Sequence, residues 1–167
     1  MNTKERQVLS SGSDEFKTMK QRLIDYKELN ADIDNCIDRL ERLEERMYNI
    51  SPKLLGDAPS GGSSPGSNKV LNLIEKKEML ESKIDSLIKK RDVERKKLED
   101  LVELLKKPNE KMVIYLRYFD DEEWDTIIEM MFGDRKNFYC DRDNYKQKTF
   151  RLHSSAIANM SMIVAVG

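Results

Sequence analysis

Histidine and cysteine are almost missing from this chain: it has one histidine, His153, and two cysteines, Cys36 and Cys140. Two thiols cannot build a disulfide framework, and with a single imidazole they supply no recognisable metal spacing, so no metal and no cofactor are expected. Aromatic residues are also scarce, at 7% with a single Trp, whereas charged residues reach 37%. That balance suits long solvated helices and is too poor in apolar bulk for a large catalytic core. No run of about 18 apolar residues occurs, and residues 1–13 hold no apolar signal segment, so neither a membrane span nor export is expected. An excess of one charge sign is missing too: 30 Lys and Arg stand against 31 Asp and Glu, a net charge of −1. Any electrostatic function must therefore be local.

Glycine and proline are few and unevenly placed. Pro52, Pro59, Pro65, Gly56, Gly61, Gly62 and Gly66 all fall within residues 51–68, which reads as a flexible Gly/Ser/Pro connector over 51–67. Residues 14–50 and 68–107 contain neither glycine nor proline, and each is predicted to be one long helix. The polar residues 1–13 are read as a flexible N-terminus.

In residues 14–50 apolar side chains recur at alternating spacings of three and four: Phe16, Met19, Leu23, Tyr26, Leu29, Ile33, Cys36 or Ile37, Leu40, Leu43, Met47 and Ile50. A stripe this narrow is a coiled-coil seam. In residues 68–107 the stripe runs Val70, Leu73, Leu80, Ile84, Leu87, Leu98, Leu101 and Leu105, interrupted by Lys77, Arg91 and Glu94. Each helix would span about 55 Å, and similar lengths favour an antiparallel hairpin. The first helix carries seven basic and ten acidic residues and the second twelve basic and nine acidic, a weakly attractive complement. The seam could close within one chain or between two, so a homodimer through the coiled coil is a further expectation.

Pro108 ends the second helix, and residues 108–167 hold the Trp and four of the six Tyr. The compact core is therefore placed there, in three helices over about 109–119, 121–132 and 144–164. Met112, Val113, Leu116 and Phe119 make the inner face of the first. Asp121 is expected to cap the second, whose core face is Trp124, Ile127, Ile128 and Met131, and Gly133 is expected to end it in a left-handed conformation. The third buries Thr149, Leu152, His153, Ala156, Ile157 and Met160, leaving Lys, Gln, Arg and Ser outward, a helix-turn-helix layout. The fold class is all-α: a long coiled-coil helical hairpin followed by a small helix-turn-helix domain.

Residues 113–131, VIYLRYFDDEEWDTIIEMM, resemble the promoter-reading fourth region of bacterial sigma factors, and residues 148–157, KTFRLHSSAI, resemble its recognition helix. With a coiled coil ahead of them, they are similar to transcriptional regulators of the ArpU and RinA type from phages of Gram-positive bacteria. The resemblance covers roughly residues 111–160. It implies binding to double-stranded DNA, control of phage or prophage late genes with host RNA polymerase, and a cytoplasmic location in a bacterial host. The sequence departs from the sigma pattern in a long turn over residues 134–143.

The DNA-contacting residues would be Arg142, Lys146, Gln147, Lys148, Arg151, Ser154 and Ser155. Lysines suit phosphates, whereas Gln147 and Arg151 can read adenine and guanine edges in the major groove. An ordinary solvated helix face competes with that reading, and the resemblance favours DNA. His153 and Trp124 are read as core residues. Phe138 and Tyr139 stay open between packing under the long turn and contacting a partner. The cluster of Lys89, Lys90, Arg91, Arg95, Lys96 and Lys97 is read as a solvated coiled-coil face. Met162 to Val166 is read as packed last turns. Two other functions remain: a packaging adaptor resembling a phage small terminase subunit, and a coiled-coil inhibitor that binds only protein. No carboxylate pair, Cys/His arrangement or phosphate loop points to an enzyme.

Overall fold

A computed structural model describes the backbone of residues 3–54 and 65–166 and the side chains of residues 14–50 and 69–166. Among these residues every regular element is helical, so the all-α fold stands. The elements are α1 (Thr3–Leu54), α2 (Pro65–Glu103), α3 (Pro108–Ile114), a π-helical continuation of α3 (Tyr115–Phe119), α4 (Trp124–Phe132) and α5 (Arg142–Val166). Of the expected connector, residues 55–64 lie outside the described residues. The two long helices exceed their expected bounds on the connector side, α1 to Leu54 and α2 from Pro65. Residues 3–13 are helical where a flexible terminus was expected. Once a helix is nucleated, each added polar residue costs little.

The chain forms two compact units, Met1–Glu28 with Val93–Gly167, and Leu29–Asp92. In each, a stretch of α1 lies against a stretch of α2, as the expected helical hairpin requires.

In the second unit the contact is a thin seam. Leu29, Ile33, Cys36, Leu43 and Ile84 are buried, while Leu40, Met47, Leu73, Leu80 and Leu87 are half-buried. Cys36 takes the ambiguous seam position and Ile37 is exposed. Lys77, a polar interruption of the stripe, pairs with Glu44 at 2.7 Å and with Glu81 at 3.7 Å. Those two carboxylates hold the Lys77 ammonium above its ordinary pKa, Glu44 first by its hydrogen bond. A single polar seam position of this kind selects a register at some cost in stability.

The first unit is a true core. Met19, Leu23 and Tyr26 of α1 and Leu98, Val102 and Leu105 of the α2 side pack with Val113, Ile114, Leu116, Tyr118, Ile127, Ala156, Ile157 and Met160. Completely burying each such aliphatic side chain contributes about 1.5–3 kcal/mol. Arg22 pairs with Glu94 and Lys27 with Asp121 at its rim. Helix α2 stops at Glu103, four residues before its expected end, because Leu105 turns in to the core and Pro108 opens α3 from an extended Lys107. Lys111 and Tyr115 then hold Glu103, at 2.6 Å and 2.9 Å, fastening the end of α2 to α3.

Three expectations for the C-terminal helices are corrected. First, after Ile114 the backbone widens, with Asp120 N–H bonding to the Tyr115 carbonyl five residues back at 3.0 Å. A wider turn rotates the inner face beyond it, so Tyr118 is buried and Phe119 only half-buried; ahead of the turn Ile114 is buried and Met112 is exposed. Second, Asp121 does not cap α4. It sits at φ 58°, reversing the chain, and the cap position belongs to Glu123 without a side-chain bond. Aspartate tolerates this left-handed region better than most residues, and its carboxylate is turned to Lys27. Third, Gly133 is right-handed, at φ −56° and ψ −32°. What it supplies is a missing Cβ, which would lie 2.6 Å from the Glu129 carbonyl oxygen.

Candidate nucleic-acid interface

Helix α5 is held on one side and open on the other. Thr149, His153, Ala156, Ile157 and Met160 are buried and Leu152 is half-buried, as the inward stripe predicted. The last turns divide: Ile163 packs on the core, while Met162, Val164 and Val166 are exposed.

Under α5 lies a buried polar pair that no spacing announced. Tyr118 Oη and His153 Nε2 are 3.0 Å apart, and the two rings stack at 5.7 Å. Burial, and then the nearby charges of Lys20 and Arg117, push the His153 pKa down from 6.5 to about 4. The imidazole is therefore neutral at physiological pH and serves as packing. Trp124 is half-buried and meets Phe150 at 4.9 Å and His153 at 5.0 Å, with the Arg117 guanidinium 5.1 Å from its ring. The only Trp is thus an anchor between α4 and α5.

A second hub is Glu110, in the first turn of α3 and 1% exposed. Its carboxylate accepts from Ser155 at 2.6 Å, from Asn159 at 2.8 Å and from Lys107 at 3.0 Å. Burial raises its pKa, but these bonds outweigh it and hold the carboxyl below the usual range. Sequence reasoning missed it because its α5 partners are 45 and 49 residues away.

The long turn after α4 has its own small core of Ile128, Phe132 and Phe138. Tyr145 stacks on Phe132 at 5.0 Å and donates to Asn137 at 2.9 Å. Phe138 takes the packing role, while its neighbour Tyr139 is exposed. The departure from the sigma pattern is therefore a folded turn with an anchor.

The seven candidate DNA-contacting residues fall into three groups. Gln147, Arg151 and Ser154 are exposed and share one stripe of α5, spaced by four and three residues, over about 10 Å of helix. Lys146 and Lys148 are exposed on either side, each about 100° around the helix from Gln147. Lys148 also lies 5.0 Å over the Phe132 ring. Arg142 is exposed at the start of α5, where it pairs with the exposed Asp125 at 3.3 Å and sits 5.9 Å from the Phe138 ring, while Ser155 is half-buried on Glu110. The structure thus brings three of the seven together, flanks them with two lysines, leaves Arg142 exposed at the start of the helix and binds Ser155 to Glu110.

Within the described residues no three His, Cys, Asp or Glu side chains are placed to hold a metal, and no helix is long and apolar enough to cross a membrane. No curated protein and no solved structure matches the chain. A family model described as a protein of unknown function, DUF1492, matches residues 49–149. That stretch takes in α2, α3, α4 and the start of α5 with Lys146, Gln147 and Lys148, and stops short of Arg151. The match covers more than half of the chain, which therefore belongs to the phage-associated DUF1492 family of proteins of unknown function.

Proposed function

We propose that this protein is a phage or prophage transcription regulator that binds double-stranded promoter DNA through α5 and acts with host RNA polymerase, in the manner of the ArpU and RinA regulators. The observation that carries this reading is the exposed stripe of Gln147, Arg151 and Ser154 between Lys146 and Lys148, on a helix whose opposite side is fixed in a core. Such a helix can enter a major groove without rearranging, with Gln147 and Arg151 directed at base edges and the lysines at phosphates. Arg142 and Ser155 support the site from behind, one by tying the turn to α4, the other by tying α5 to Glu110. The phage association of the family supports the same setting.

Fluorescence anisotropy with prophage late-promoter DNA at two salt concentrations tests this. Sequence-selective binding that weakens with salt is expected. Arg151→Ala should cost about 1–3 kcal/mol and relax selectivity at one base pair, while Lys146→Ala should weaken binding to all sequences alike. Binding that is indifferent to sequence or to salt overturns the proposal.

A further inference from the structure

The Leu29–Asp92 unit carries a groove that the proposed function does not use. Arg39, Arg42 and Arg46 line it from α1, and Lys76 and Lys83 from α2. Its apolar lining is Leu43, Met79 and Leu80, and its volume is about 510 Å³. No acidic residue lines it, and none of the five cations has an ion pair among the described residues. The basic flank follows from the heptads: Lys69, Lys76, Lys83 and Lys90 recur every seven residues beside the α2 seam, and Arg39 and Arg46 are also seven apart. Positions flanking a seam are those that choose a helix's partner and its orientation. Here the flanks from the two helices are alike in sign, so they repel each other and call for an anionic occupant.

The apolar lining narrows the class of that occupant. A sugar-phosphate backbone would satisfy the cations and leave the half-buried Leu80 and the exposed Met79 uncovered. An acidic amphipathic helix would satisfy both. The same unit displays such a surface: Asp34, Asp38, Glu41 and Glu45 are exposed along α1 at spacings of four, three and four. Ile37 and Tyr48, 37% and 78% exposed, lie beside them. None of the four carboxylates has an ion pair among the described residues. By helix geometry this ridge is centred about 100° around α1 from the arginine stripe, so it cannot fold into the groove beside it.

We infer that the groove receives the acidic α1 ridge of a second copy of this chain. The ridge inserts Ile37 and Tyr48 over Met79 and Leu80, and its carboxylates meet Arg39, Arg42, Arg46, Lys76 and Lys83. Exchange of groove and ridge between two copies closes a dimer. The inference gives a surface to self-association and does not rest on DNA binding by α5, so either can fail without the other.

Charge-swapped variants of the full chain, followed by light scattering, test it. The wild type is expected to be a dimer at low salt and to dissociate as salt rises. Arg42→Glu with Arg46→Glu cuts the groove's five positive charges to a net +1, and Glu41→Arg with Glu45→Arg brings the ridge's four negative charges to zero, so each variant alone is expected to be monomeric with unchanged helix content by circular dichroism. An equimolar mixture pairs the intact ridge of one variant with the intact groove of the other and is expected to restore the dimer. A monomeric wild type, a dimer that survives either double substitution, or a mixture that stays monomeric overturns the inference. If only the wild type and the ridge variant capture duplex DNA, the groove belongs to phosphate instead.

Discussion

The same two long helices are used differently in the two units. Within Met1–Glu28 and Val93–Gly167 they are walls of a core, and Leu23, Leu98 and Val102 are completely buried by α3, α4 and α5. Within Leu29–Asp92, among the described residues, they have only each other, and the best-covered aliphatic residues, such as Ile33, Leu43 and Ile84, keep 3–8% of their surface exposed. One helix covers one stripe of another, so a two-helix seam leaves its flanks wet however well the heptads are spaced. The first unit has surplus burial with which to hold Glu110 and His153 inside; the second leaves open the basic groove and acidic ridge that suit it to association.

Leucine-to-alanine substitution at matched seam positions gives the largest expected difference. Leu98→Ala opens a cavity with full walls and should cost about 4 kcal/mol, whereas Leu43→Ala, beside half-buried neighbours and solvent, should cost about 2 kcal/mol. Urea denaturation measures the two losses, and hydrogen exchange locates the stretch that opens. Equal losses would break the contrast between core and seam.

Acid should weaken the first unit in two stages. His153 has its pKa lowered from 6.5 to about 4, so the unfolded chain takes up a proton in that window and the folded chain does not. Its contribution is full above pH 6.5 and is lost as pH falls toward 4, on the order of 3 kcal/mol. Glu110, held below the ordinary carboxyl value of 4.5, stabilises above that value and ceases to do so as pH falls through its folded pKa. Denaturation midpoints across pH should slope through both windows in the wild type. His153→Gln should flatten the upper stage and Glu110→Gln the lower; an unchanged upper slope in His153→Gln would mean that the imidazole is not what acid attacks.

Much of this was legible in the sequence wherever one helix buries one stripe. The seam from Met19 to Leu43 and the inward face of α5 from Thr149 to Met160 follow from spacing alone, and with them the outward placement of Gln147, Arg151 and Ser154. The same count turns Ser155 outward, but its role depends on Glu110, 45 residues away, and local periodicity carries no record of such a partner. The π-helical turn was hidden for a related reason. A bond to the fifth residue back shifts the inner face after Ile114 by an amount that a regular helical count cannot supply. The folded turn after α4 was visible as an insertion, while Phe138 as its anchor needed Phe132 and Tyr145 in place.

Gly133 carries the smallest of these expected effects and decides between two reasons for a glycine. A left-handed helix end needs freedom in φ, and there asparagine is tolerated better than alanine. The observed conformation is right-handed, and its N–H bonds to the Glu129 carbonyl at 2.7 Å, so closely that any Cβ would press on that oxygen. Both Gly133→Ala and Gly133→Asn should therefore destabilise by about 1 kcal/mol as the turn shifts to relieve the contact. Because Phe138 is anchored through that turn, its packing on Phe132 should loosen in both variants. Matched thermal melts of the two proteins check this, and an asparagine variant clearly more stable than the alanine one would show that the turn is left-handed in solution.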